Sequence, residues 1–211
     1  IPDGLTALDV INNYIRSVGG KANLKSVNTL VMKASVTMPG APFTPEATMR
    51  QKLPNKSSFK IEANMQGQKM TLSKTTFNGD RGYSEMQGQR VEFDEKQLDE
   101  NKKVKGIFEE LYFKAEELEL ISINSVNYQD AYKVKVTIDG KESHRYYSVE
   151  SGLLLSTEDT DDNNNVVTTN YGDYQSVQNI MFPFYMELPA QKLEFKTTSV
   201  EINKEIKDSS F

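Results

Sequence analysis

The residues able to do chemistry are few. His144, in Ser143-His144-Arg145-Tyr146-Tyr147, is the single histidine. A lone imidazole works as a general base only beside a nucleophile or a bound substrate. Its place in an alternating run predicts a surface or packing role instead. The acidic run Glu158-Asp159-Thr160-Asp161-Asp162-Asn163-Asn164-Asn165 offers Asp159, Asp161 and Asn163 at alternate calcium-ligand positions. Asn164 stands where such a loop needs glycine, and Asn170 stands where it needs the closing glutamate. A solvated hairpin loop is the expected role, and no metal or other cofactor is expected. No Gly-x-Ser-x-Gly, HExxH, Walker or dinucleotide motif is present. No carboxylate pair is singled out for glycosidase chemistry. With no cysteine there is no thiolate and no disulfide. A non-enzyme is expected.

Composition narrows the partners further. The net charge of −5 argues against nucleic acid, which requires a basic face. There is no run of about 20 apolar residues to span a bilayer as a helix. The chain starts at Ile1 and not at Met, which leads us to expect a mature or excised segment of an exported protein. Ten Tyr, ten Phe and eight Met provide bulk for one core within 211 residues despite an apolar fraction of only 37%.

The elements that must position these residues are mostly strands. Thr6 caps a helix whose Ala7, Val10, Ile11, Tyr14, Ile15 and Val18 form one apolar stripe; Asp9 completes a capping box and Gly19-Gly20 ends the helix. Residues 22–26 read as a helical turn. Period-two alternation then runs through Met32, Ala34, Val36 and Met38, through Ala47, Met49, Gln51 and Leu53, and through Phe59, Ile61, Ala63 and Met65. Turn signals at Asn78-Gly79-Asp80 and Gln87-Gly88-Gln89 continue a meander. Residues 95–117 switch to a helical pattern that Gly106 divides in two. Strands resume at Leu118 and run to Ile202, with residues 203–211 expected to be a frayed tail. The pattern predicts a mainly β (α+β) chain of roughly eleven antiparallel, strongly twisted strands in a single domain, 1–211.

The methionines point towards an apolar ligand. Thioether side chains fill irregular space and adapt to varied apolar surfaces, and Ala34, Ala47 and Ala63 on the same faces leave room. An incompletely closed sheet of this size encloses a hollow. Met32, Val36, Met38, Met49, Phe59, Ile61, Met65, Met70 and Leu72 are the expected cavity lining, with Ile107, Phe108, Leu111 and Tyr112 as its lid.

Several stretches resemble one family in order along the chain. The helix end and first strand, Ile15 to Val27 and Leu30 to Ser35, resemble the start of LolA/LolB-like proteins, most closely the outer-membrane lipoprotein-sorting-like domains of Bacteroidetes. Asp130-Ala131-Tyr132-Lys133-Val134, Tyr146-Tyr147-Ser148-Val149-Glu150-Ser151-Gly152-Leu153-Leu154 and Tyr171-Gly172-Asp173-Tyr174 with Ile180-Met181-Phe182-Pro183 resemble later parts of those domains, with Asn179 where glycine is usual. The resemblance implies an unclosed antiparallel β-barrel with helices over its mouth and a cavity for acyl chains. It further implies a periplasmic or outer-membrane-associated setting and a lipid or lipoprotein acyl chain as partner. Some such domains follow insulinase-type zinc peptidases, so the alternative expectation is an accessory or scaffolding domain with a filled core that works through protein contacts. Fold membership alone does not decide function.

Overall fold

The computed structural model describes residues 1–161 and 164–211. Helix α1 (Ala7–Ser17) is fixed at its start by the expected capping box: the Asp9 amide donates to Thr6 Oγ1 at 3.2 Å and the Thr6 amide donates to Asp9 Oδ2 at 3.0 Å. The Thr6 hydroxyl, which donates to Asp9 Oδ2 at 2.6 Å, and the Thr6 amide hold the Asp9 carboxyl below its ordinary range, the hydroxyl contributing most. Ala7, Val10, Ile11 and Ile15 of the stripe are buried, as is Val18 just beyond. Gly19 has φ +132°, and a Cβ there would lie 2.5 Å from the Asn179 carbonyl oxygen. The Met181 amide donates to the Val18 carbonyl at 2.9 Å, so the helix end is clamped to a later strand start.

Short helix α2 (Lys21–Lys25) leads into β1 (Thr29–Thr37), β2 (Glu46–Lys52), β3 (Lys56–Met65), β4 (Gln68–Phe77), β5 (Gly82–Met86) and β6 (Gln89–Glu92). Helix α3 (Glu95–Lys102) follows, capped by Asp94. The second half of the expected helical stretch is two 3₁₀ turns, Glu109–Tyr112 and Ala115–Glu117. Glu110 in the first turn and Phe113 just after it are buried. The remaining strands are β7 (Leu118–Val126), β8 (Gln129–Ile138), β9 (Lys141–Ser148), β10 (Leu154–Thr160), β11 (Val166–Val177), β12 (Ile180–Leu188) and β13 (Leu193–Ile202).

The described residues thus form thirteen strands against an expected eleven or so, and mainly β architecture holds. All the described strand pairs are antiparallel. Among the described residues β6 pairs only with β5 and β7 only with β8, so the strands do not close into a barrel.

The chain sorts into two compact units. Unit one comprises residues 1–24 and 110–193, and unit two comprises residues 25–109 and 194–211. The backbone therefore passes from one to the other three times. In unit one the strand order is β12-β11-β10-β9-β8-β7, with α1, Val134, Val136, Tyr147, Leu154, Ile180 and Phe182 supplying buried residues. In unit two the order is β6-β5-β4-β3-β2-β1-β13.

The final residues are not frayed. The Asn203 side chain accepts from the Asn28 amide at 2.7 Å and donates to the Ser26 carbonyl at 3.0 Å. Thr29 Oγ1 donates to the Lys204 carbonyl at 2.6 Å. Ile206 is buried, and Lys52 Nζ donates to its carbonyl at 3.0 Å and to Asp208 Oδ1 at 2.8 Å.

Candidate functional site

One face of unit two carries the residues expected to line a cavity, and strand register lines them up. Across seven strands a single row reads Val200 (β13), Met32 (β1), Met49 (β2), Phe59 (β3), Thr75 (β4), Ser84 (β5), Val91 (β6). The neighbouring row reads Thr197, Ala34, Ala47, Ile61, Ser73, Met86, Gln89. Met32, Met49, Phe59 and Ile61 are half-buried. The row therefore keeps apolar surface in water, at a cost of about 25 cal/mol per Å² that a covering ligand would relieve. Ala34 and Ala47, side by side, keep the middle of the face shallow. The Phe59 and Phe195 rings meet at 6.3 Å between centroids, tilted by 56°. Alternate positions give the opposite face Lys33, Thr48, Lys60 and Lys74.

Both rows change character at β4. The apolar side chains of β1 to β3 give way to Thr75 and Ser73 on β4 and Ser84 on β5; Met86 and Val91 beyond them are apolar again, and Thr197 on β13 is polar. Thr75 Oγ1 and Ser84 Oγ are 3.2 Å apart and share a hydrogen bond that either can donate. A recess of about 400 Å³ opens here, lined by Ser73, Thr75, Ser84, Glu85, Met86, Gln87, Gln89 and Val91.

The remaining expected site residues are distributed differently. Val36 is wholly buried, opposite Phe195. Met38 lies just past the end of β1 and is half-buried, as is Leu72 on β4. Met65 and Met70 stand near the turn of the β3–β4 hairpin, 40% and 49% exposed. Ile107, Phe108, Leu111 and Tyr112 are half-buried. Ile107 belongs to unit two, where it lines a smaller recess of about 140 Å³ against the turn between β2 and β3. Leu111 and Tyr112 fall in unit one.

His144 lies mid-strand on β9. Its Nδ1 is 3.7 Å from Glu158 Oε2, and Lys133 Nζ is 3.6 Å from the same oxygen. Burial, and then the Lys133 charge, push the imidazole below its ordinary value, so it is a neutral member of an ion-pair network at neutral pH. In the acidic run, Asp161 Oδ1 accepts from the Asn165 amide at 2.8 Å. Asn163, needed for the calcium pattern, lies outside the described residues. Among the described residues no group of three metal-ligating side chains occurs, and no helix is long and apolar enough to cross a membrane.

A polar cluster in unit one escaped the sequence reading. The Tyr14 ring lies 5.2 Å from that of Tyr147. Burial, with Glu110 adding to it, pushes the Tyr14 hydroxyl well up, against the opposing charge of Arg145. The Arg145 guanidinium lies 5.4 Å from the Phe113 ring centroid. Tyr174 is raised mainly by burial and donates to the Leu154 carbonyl at 2.8 Å. Phenols shifted this way stay protonated at neutral pH and serve as donors, not bases. The signal for the cluster was Arg145 itself, a charge in an alternating run at a position shared with apolar neighbours.

Unclosed antiparallel strands with a half-buried apolar face define a class of architecture, and solved structures place it. No protein-family model matches the chain, and no curated protein does. By fold the chain is similar to the LolA superfamily protein NE2245 from Nitrosomonas europaea, with a TM-score of 0.59 and 12% identity over 99% of this chain and 98% of that one. It is equally similar to a DUF1329 family protein from Desulfovibrio piger, at a TM-score of 0.60 and 11% identity over 98% of each chain. A domain of Vibrio parahaemolyticus named for outer membrane lipoprotein sorting matches at a TM-score of 0.57 and 10% identity, over 97% of this chain and 95% of that one. The fold is that of LolA-type proteins, as the sequence resemblance implies.

Proposed function

We propose that this chain is a non-catalytic, envelope-associated module, acting as one domain over residues 1–211, that binds the acyl part of a lipid or lipoprotein on the apolar face of unit two. The observation that carries the reading is the register row Met32–Met49–Phe59, apolar, contiguous and half-buried. Ile61, Met38 and Leu72 extend it, and Ile107 and Phe108 of the same unit cover the bound chain. The fold similarity supports it, since one of the matched proteins is named for lipoprotein sorting, and a periplasmic or outer-membrane setting accords with that. No observation favours the accessory-domain alternative.

The test is displacement of an environment-sensitive apolar dye by acylated ligands of graded length. Affinity is expected to rise with length, up to about fourfold per methylene at full burial, from about 0.8 kcal/mol each. Met49→Glu, which places a charge mid-row, is expected to weaken binding by at least roughly tenfold, whereas Met49→Leu retains it. Affinity indifferent to chain length would sink the proposal.

A further inference from the structure

From the change of character at β4 we infer that the ligand is an amphiphile with an uncharged, hydroxyl-bearing head group, seated head-first against β4 and β5. The inference rests on the acyl-binding reading and adds which end of the ligand goes where. Two adjacent register rows pass from Met49 and Phe59, and from Ala47 and Ile61, to Thr75 and Ser73 on β4, with Ser84 following on β5. A ligand lying along either row meets apolar surface first and hydroxyls second. The recess beside those hydroxyls, about 400 Å³, is at the small end of ligand pockets, the size of a head group and not of a whole lipid.

Charge selects among head groups. Glu85 is the one ionisable residue of the recess lining. A phosphate or carboxylate head would find no cation there and would lie beside that carboxylate. Lys60 and Lys74, which could have neutralised it, do not line the recess, although Glu85 stands opposite Lys74 in register and shares its alternate positions. A cationic head would lose hydration for a single acid. Serine and threonine hydroxyls, by contrast, both donate and accept. Thr75 and Ser84 spend one hydrogen bond on each other and keep capacity for the hydroxyls of a glyceryl or sugar head.

The experiment uses the full chain, the same apolar dye and four dodecyl amphiphiles below their micellar concentrations: a monoacylglycerol, a glucoside, a phosphate and a trimethylammonium. The glyceryl or glucosyl compound is expected to displace the dye at a roughly tenfold lower concentration than either charged one, the effect of two or so hydrogen bonds. Thr75→Val combined with Ser84→Ala, both at exposed positions, is expected to shrink that ratio to about twofold. Equal displacement by all four overturns the head-group assignment alone, as does a preference for phosphate or ammonium, or a neutral preference that survives the double substitution. Failure of every amphiphile to displace the dye overturns the acyl-chain reading beneath it.

Discussion

Gly19 is the residue on which the seating of the first helix depends. Its φ of +132° is open to glycine, and its missing Cβ makes room for the Asn179 carbonyl. Gly20 next to it also has positive φ, +85°, but has nothing within 4 Å of a Cβ. The pair separates backbone strain from close approach. Gly19→Ala should destabilise by on the order of 2–3 kcal/mol, and Gly20→Ala by about 1 kcal/mol. Denaturant unfolding of the two variants measures the difference, and equal costs would mean that the contact with Asn179 contributes nothing. Gly152 repeats the device against the side chains of the helix, where a Cβ would lie 2.6 Å from Asn13 Nδ2 and 2.7 Å from Ser17 Oγ.

Among the elements, the C-terminal segment shows how ion pairs act when they anchor a strand's exit. Asp208 accepts from Lys52 at 2.8 Å and from Lys56 at 3.0 Å, and these lysines hold its carboxyl below the ordinary value of 3.8. A depressed carboxyl stabilises fully above its unfolded value and loses that contribution as pH falls through the lower folded value. Acidification below about 3.8 should therefore loosen residues 206–211. Asp208→Asn should do so at neutral pH, reducing amide protection of Ser210 measured by hydrogen exchange corrected for intrinsic rate. Protection unchanged in the variant would show that Asn203 and buried Ile206 hold the segment unaided.

The same element marks where sequence reasoning stops. Thr6, Asp9 and the α1 stripe were legible because caps and helical period are local. So was the alternation of Met32, Met49 and Phe59. That these three stand side by side was not legible, because alternation assigns a face and only pairing assigns a register. Thr75 and Ser84 carry no signal in the sequence, and only register puts them in line with Phe59. The Asn203 contacts to Ser26 and Asn28 join positions some 175 apart in sequence, and no local signal announces them. Residues 107–117 have a helical pattern but form two 3₁₀ turns, Glu109–Tyr112 and Ala115–Glu117, a distinction that apolar spacing alone does not make.

For the whole molecule, the governing feature is the path of the chain. A cut in the exposed segment Lys103–Lys105 would leave an N-terminal piece holding α1 of unit one and six strands of unit two. The C-terminal piece would hold the unit one strands and residues 194–211 of unit two. Each unit then needs both pieces. Limited trypsin cleavage there should yield a nicked protein that elutes as the intact chain in native size exclusion and separates only in denaturant. Fragments that part without denaturant would contradict the assignment of α1 and β13 to their units.

That path also bears on inheritance. A domain encoded as one continuous stretch can be gained, lost or swapped by a single exchange between genes. Here one exchange at any of the three passages would split at least one unit, and an exchange between residues 109 and 110 would split both. Chimeras between this chain and its distant structural counterparts should therefore survive only when breakpoints at all three passages move 1–24 with 110–193, or 25–109 with 194–211. The two halves are expected to have diverged together, and their shared ancestry should read as one lineage along the full length of the gene.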